Sequence, residues 1–183
     1  MAAVGQNGWM RVRPVTEADL EELARGFKVV VDEKRWVARQ PPVDAAELAE
    51  DLRRRLGDGR PMFTLEDTDA EDGPALVGFL DLYPTRTDGV YAFGLWVLPE
   101  VRGKGGGRAL LEAAIEARPP HVHKIELETW PHNEAAIALY ERLGFEREGL
   151  RRDHYRRADG SLQSSLIMAR LFPDPGPPDR VRR

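Results

Sequence analysis

The segment from Trp96 to Arg108 constrains this chain more than any other. The aromatic-rich run Val90 to Leu98 ends at Pro99-Glu100. Then comes Val101-Arg102-Gly103-Lys104-Gly105-Gly106-Gly107, and a helical pattern follows from Arg108 to Arg118 with Leu110, Leu111, Ala114 and Ile115 inward. A strand that leaves through glycines into a helix belongs to a mixed α/β domain. Glycine lets the backbone turn sharply with its amides exposed. Amides at a helix N-terminus, aided by the helix dipole, form a site for a phosphate group. Arg102, Lys104 and Arg108 add positive charge in a chain of formal net charge -4, which suits a polyanionic ligand.

Two familiar phosphate motifs fail here. Counting G-x-G-x-x-G from Gly103 puts Arg108 at the last glycine. The triphosphate loop needs a hydroxyl after its lysine, and Gly105 follows Lys104. A plain strand-to-helix connection with solvated charges stays open at this point.

The flanking sequence gives an element order. Trp9 to Val15 alternates as a strand. Thr16 and Asp19 form a capping-box start for a helix carrying Leu20, Leu23, Ala24 and Phe27, interrupted by Pro41-Pro42. Asp44 caps a second helix to about Leu56. Met62 to Leu65 and Ala75 to Tyr83 read as strands around an acidic turn, Glu66 to Gly73. After the glycine loop and its helix, Val122 to Thr129 is a strand and Asn133 to Leu143 a helix. Phe145 to Asp153 and Leu162 to Leu171 close the domain as a hairpin. The expected fold is a single mixed α/β (α+β) domain over residues 1–172, followed by a Pro- and Arg-rich tail, 173–183, read as disordered.

Composition removes several function classes. Hydrophobic residues at 42% and charged residues at 32% fit a soluble globular domain. No apolar run reaches the roughly 20 residues of a membrane span, so no membrane role is expected. No cysteine is present, which excludes disulfides and thiol chemistry and points to the cytoplasm. The acidic balance and the lack of interleaved basic and aromatic residues argue against a nucleic-acid partner. His121, His123, His132 and His154 lack ligand spacing with carboxylates, so no metal is expected. The arginines 147, 151, 152, 156 and 157 alternate with acids and read as surface salt bridges.

A second segment makes the glycine loop specific. Arg102, Gly105 and Gly107 fit R/Q-x-x-G-x-G/A. Asn133 to Phe145 (NEAAIALYERLGF) fits N-x-x-A-x-x-L-Y-x-x-x-G-F. The pair resembles the two signatures of the GNAT superfamily of N-acetyltransferases, strictly over Gly94 to Phe145. The resemblance implies a mixed, mostly antiparallel sheet flanked by helices, whose fourth and fifth strands splay apart. Those would be Val90 to Leu98 and Val122 to Thr129. It implies acetyl-coenzyme A as co-substrate, with pantetheine along Trp96, Val97 and Leu98 and pyrophosphate on the loop Arg102, Gly103, Lys104, Gly105, Gly106, Gly107 and Arg108. Asn133 and Ala136 would complete the cofactor site. Gly106 departs from the family, which places an aliphatic plug there, so a looser loop is expected.

The implied chemistry is direct attack of an amine on a thioester within a ternary complex. Tyr140 matches the general acid, because a phenol with pKa about 10 stays protonated near neutrality. By spacing alone Tyr140 reads as a core aromatic on the helix face with Ala136, Ile137 and Leu143, and only the signature around it points to the acid. Glu128 ranks first as general base, ahead of Glu126 and of Asp81 on the third strand, because it lies nearest the C-terminal end of its strand. Trp36, Asp81 and Trp130 are candidates for the acceptor side. The acceptor is expected to be a small amine or amino acid, with a protein amino group or a non-catalytic acyl-CoA-binding module as alternatives. Family members often pair, so a homodimer is also an open expectation.

Overall fold

The computed structural model describes residues 3–4 and 8–173. Beyond Pro173 the expected tail lies outside the described residues. Among the described residues, eight strands form one sheet in the order β1-β2-β3-β4-β5-β6-β8-β7. They are β1 (Ala3–Val4), β2 (Met10–Pro14), β3 (Met62–Asp67), β4 (Ala75–Pro84), β5 (Val90–Val97), β6 (Lys124–Thr129), β7 (Glu146–Arg156) and β8 (Leu162–Leu171). The two-residue β1 shifts the count by one, so the expected fourth and fifth strands are β5 and β6. Their pairing is parallel, and the other neighbours are antiparallel.

The helices are α1 (Leu20–Asp32), α2 (Ala45–Gly57), α3 (Gly106–Glu116) and α4 (Glu134–Arg142). Alternation along the strands divides the core between two faces. On one face Met62, Phe79 and Trp96 pack with Leu20, Leu23 and Val30 of α1 and Leu52 of α2. On the other, Leu80, Leu82, Phe93, Ile125 and Leu127 pack with Leu110 and Leu111 of α3 and Ile137 and Tyr140 of α4. Each buried side chain of this size contributes about 1.5–3 kcal/mol over its exposed state.

Both helix starts expected in the first half are present. Asp44 Oδ1 accepts from the amides of Ala46 at 2.8 Å and Glu47 at 3.3 Å. The Thr16 amide and Oγ1 donate to Asp19 Oδ2 at 2.7 and 2.8 Å, and a short 3-10 turn, Glu17–Asp19, leads into α1. Asp19 also receives two bonds of 2.7 Å from Arg13.

The structure corrects two readings. Glu66 is no turn residue but a buried member of β3, 4% exposed, bonded by Arg11 and Arg13 across the β2–β3 pair. Two guanidinium groups offset the cost of burying its carboxylate. Helix α3 begins at Gly106 rather than Arg108, so two of the three glycines are helical.

The arrangement that positions the site is a fork. Strands β5 and β6 pair only at Val90↔Lys124, Tyr91↔Ile125 and Ala92↔Glu126. Beyond Ala92, β5 continues against β4 to Val97. Beyond Glu126, β6 continues against β8 to Thr129. From that point each strand is held only on its outer side, and the inner edges part.

Candidate active site

A cleft of about 1190 Å³ runs through the fork. It starts at the glycine loop, follows β5 from Phe93 to Val97 opposite α4, and ends among Trp36, Trp130, Glu128 and Tyr155. Of the sequence candidates, Tyr140, Glu128, Trp96, Val97, Arg102, Gly103, Gly105, Gly106, Gly107, Arg108, Asn133, Ala136, Trp36 and Trp130 line it. Leu98, Lys104 and Asp81 do not. Leu98 follows β5 and bonds outward to Val77 O at 2.8 Å. The Lys104 ammonium lies 5.4 Å from the Trp9 ring centre. Asp81 is buried behind Arg55.

The loop's shape follows from its glycines. Gly105 caps α3 in the left-handed region, φ 96°, which disfavours a side chain. The exposed start of α3 therefore offers backbone amides and the positive end of its dipole to the cleft. Gly106 does not leave the empty space its small size suggested. Leu65 Cδ2 occupies the place its Cβ would take, and Met10 Sδ lies 3.4 Å away. Leu65, fully buried on β3, supplies the plug from a different element.

Arg102 differs from expectation in what its side chain touches. Its guanidinium donates to Glu33 Oε1 and Oε2 at 2.5 and 2.7 Å and to Val97 O at 2.9 Å. This bidentate pair ties the loop to the end of α1 and holds the Glu33 carboxyl below its usual range. Arg108 pairs with Glu112 at 2.8 Å on the helix surface.

Two groups with proton chemistry flank the fork. Tyr140 projects from α4, 8% exposed, with edge contacts to Phe93 at 5.9 Å and a tilted contact to Phe145 at 6.1 Å. Burial among these rings pushes its phenol up to about 12, so it stays protonated across the physiological range. Glu128 lies on β6, its side chain 30% exposed. Tyr155 Oη and Ser165 Oγ donate to its Oε2 at 3.1 and 2.9 Å, and Arg151 donates to its Oε1. Three donors fix the carboxylate in one orientation.

Asp81 is 1% exposed and accepts from Arg55 at 2.8 Å, with Arg60 at 3.7 Å. Burial outweighs these cations and raises its carboxyl above the usual range. Asn133 caps α4, its Oδ1 accepting from Ala136 N at 3.3 Å. The Trp96 indole packs against Phe27 and Phe79 in the core, at 6.3 and 6.1 Å between ring centres. Trp36 lies between Arg35, 4.3 Å from its ring centre, and His132 at 6.1 Å. Trp130 meets Tyr155 edge-on at 5.3 Å.

The sequence missed the residue that holds the cleft wall formed by Trp36, Val37 and Ala38. Arg157, read as one of several surface cations, is 9% exposed. It donates to the carbonyls of Lys34 at 2.8 Å, Val37 at 3.0 Å and Ala38 at 3.4 Å. Gln40 adds bonds to Arg156 O and Ala158 N at 3.3 and 2.6 Å. The β7–β8 turn thereby clamps the α1–α2 loop that carries Trp36. Contacts more than 110 residues apart leave no local pattern. Tyr155, Ser165 and Glu33 escaped notice because their contacts, 27, 37 and 69 positions along the chain, also lie beyond any local pattern.

The model of the acetyltransferase (GNAT) family matches residues 27–145, which includes the whole fork and both signatures. The chain belongs to this family. Curated relatives include the [ribosomal protein bS18]-alanine N-acetyltransferase of Escherichia coli (strain K12), 44% identical over 78 residues, covering 42% of this chain and 52% of that protein. The N-alpha-acetyltransferase RimI of Mycobacterium tuberculosis is 38% identical over 92 residues, covering 48% of this chain and 56% of that protein. The chain thus spans about half the length of the curated relatives it matches. Among solved structures, a ribosomal-protein-alanine N-acetyltransferase from Brucella melitensis superposes with TM-score 0.76 at 28% identity, covering 88% of this chain and 99% of that one. A putative acetyltransferase from Salmonella typhimurium, solved with acetyl-CoA, shares the fold with TM-score 0.79 at 21% identity, covering 94% and 99%.

Proposed function

We propose that this chain moves an acetyl group from acetyl-coenzyme A to the α-amino group of an amino acid or of a chain terminus, by direct attack with both substrates bound. The observation that carries this reading is the single cleft joining the glycine loop, the unpaired inner edge of β5, Tyr140 and Glu128. The residues fit the co-substrate. The start of α3 suits a pyrophosphate, and the inner edge of β5 beyond Ala92 suits an extended amide-bearing arm, as an added strand would. Bound acetyl-coenzyme A supplies an acetyl thioester that an amine can attack.

The chain's own groups then supply orientation and proton transfer. Both reactants are confined to one fork, which removes much of the entropy cost of their encounter. Glu128, fixed by its three donors, receives the proton from the incoming ammonium, directly or through water. Tyr140 Oη keeps its proton at neutral pH and donates it to the departing sulfur. The absence of cysteine agrees with transfer that uses no cysteinyl intermediate.

The α-amino class is favoured by the relatives named for ribosomal-protein alanine. A free amino acid or other small amine, the sequence's first preference, presents the same reacting group. Thiol release from acetyl-CoA with an Ala-initiated peptide, free amino acids and an aliphatic diamine tests the reading. Release with an α-amino acceptor and a matching yield of acetylated product supports it. Cofactor binding without release on any of these amines would instead mark an acyl-CoA-binding module.

A further inference from the structure

Gly94 lies inside β5, where a glycine weakens the strand and needs a reason. Its backbone supplies none, since it is not among the positive-φ glycines. Packing supplies none either, because a Cβ built on it meets nothing within 4 Å. Gly78, three rungs along on the adjoining strand β4 and opposite Val97, differs in this respect: a Cβ there would lie 3.2 Å from Leu65 Cβ and Trp96 O. Gly94 borders open cleft.

Register places that opening. Gly94 is directly opposite Asp81 on β4. On its other side, Ala92 pairs with Glu126 at the last rung of the fork, so two residues further Gly94 faces Glu128 across the gap. Partners in register share a sheet face, and this face also carries Phe79 and Trp96. Asp81, Gly94 and Glu128 therefore form one row across the fork, carboxyl to carboxyl, with the middle side chain missing. Tyr140 approaches from the opposite face, against Phe93.

We propose that Gly94 is the specificity-determining position of the acceptor site: its missing side chain leaves the slot that receives the substituent on the carbon bearing the amine. The inference rests on the transferase reading given above. An amine that reaches Glu128 while facing the fork brings its own carbon over position 94. A bare methylene fits there whether or not position 94 has a side chain. A carbon bearing a methyl or larger group needs the space that glycine leaves. The site is thus built for amines on branched carbons, as in an α-amino acid residue with a side chain.

The test uses the full chain, its Gly94→Val and Gly94→Ala variants, and two peptides differing only in an alanine or a glycine at the N-terminus. Valine suits a strand, and the alanine variant covers the case of a folding defect. In Gly94→Val, the ratio of kcat/KM for the alanine peptide to that for the glycine peptide should fall at least about 10-fold, the scale on which pockets discriminate single methylenes. Both peptides are compared on the same variant at saturating acetyl-CoA, so a change in cofactor affinity cancels from the ratio, and Gly94→Ala should show a smaller drop in it. A ratio unchanged in both variants, with wild type active on both peptides, would overturn this proposal and leave the transferase reading standing. A wild type that binds acetyl-CoA yet acetylates neither these peptides nor any other amine would overturn both.

Discussion

Tyr140 has one physical property that matters, a phenol that burial keeps protonated at neutral pH. Replacing it with phenylalanine keeps the ring contacts to Phe93 and Phe145 and removes only the donor. We expect kcat to fall by about 10²-fold or more, the usual scale for a positioned acid, with acetyl-CoA affinity unchanged. Full turnover in Tyr140→Phe would reduce the residue to a core aromatic. Gly106 offers a second test at this scale. Because Leu65 already fills the space beneath it, Gly106→Ile should overpack the core and lower unfolding stability by about 1–3 kcal/mol in denaturant titration. A variant as stable as wild type, with tighter cofactor binding, would show that the loop had lacked a plug. The sequence displayed the glycine but not its filler, because Leu65 lies about forty positions away on β3, and only the sheet brings the two together.

Among the elements, the α1–α2 loop and the β7–β8 turn behave as one unit. Arg157 joins them through three carbonyls, and removing such a buried donor costs about 1–3 kcal/mol for the groups left unsatisfied. Arg157→Ala should raise the acceptor KM at least severalfold and leave the acetyl-CoA Kd unchanged, because the clamp holds Trp36 and not the glycine loop. Faster amide exchange confined to residues 34–44 would accompany it. Equal loss of acceptor and cofactor binding would mean that the clamp supports the whole fold instead. Local periodicity made the strands and helices legible: Leu162–Leu171 and the cap at Asp44 stand where the sequence puts them. The fork was legible only through the resemblance, since nothing in β5 or β6 by itself reveals that their pairing stops after Ala92. Glu66 was misread because an acidic residue looks like turn material until Arg11 and Arg13 are placed beside it.

At the level of the whole molecule, the sheet holds together two helical layers, and one cleft runs through its fork. Its first half depends on charge as well as packing. Burial alone would raise the Asp19 carboxyl, but hydrogen bonds from Arg13 and Thr16 outweigh it and bring the pKa from 3.8 to about 2. A carboxyl depressed in the folded state contributes stability that is present above pH 3.8 and is lost as pH falls toward 2. The denaturation midpoint should therefore decline over that window, and Asp19→Asn should flatten the decline while lowering stability at neutral pH. An unchanged slope in the variant would remove Arg13–Asp19 as its source. The central claim, that the co-substrate lies in the fork, is tested most directly by amide hydrogen exchange with and without acetyl-CoA. Protection should appear at residues 93–98 and 103–108 and be absent from the exposed face of α2. Binding that leaves both of those segments unprotected would contradict the account.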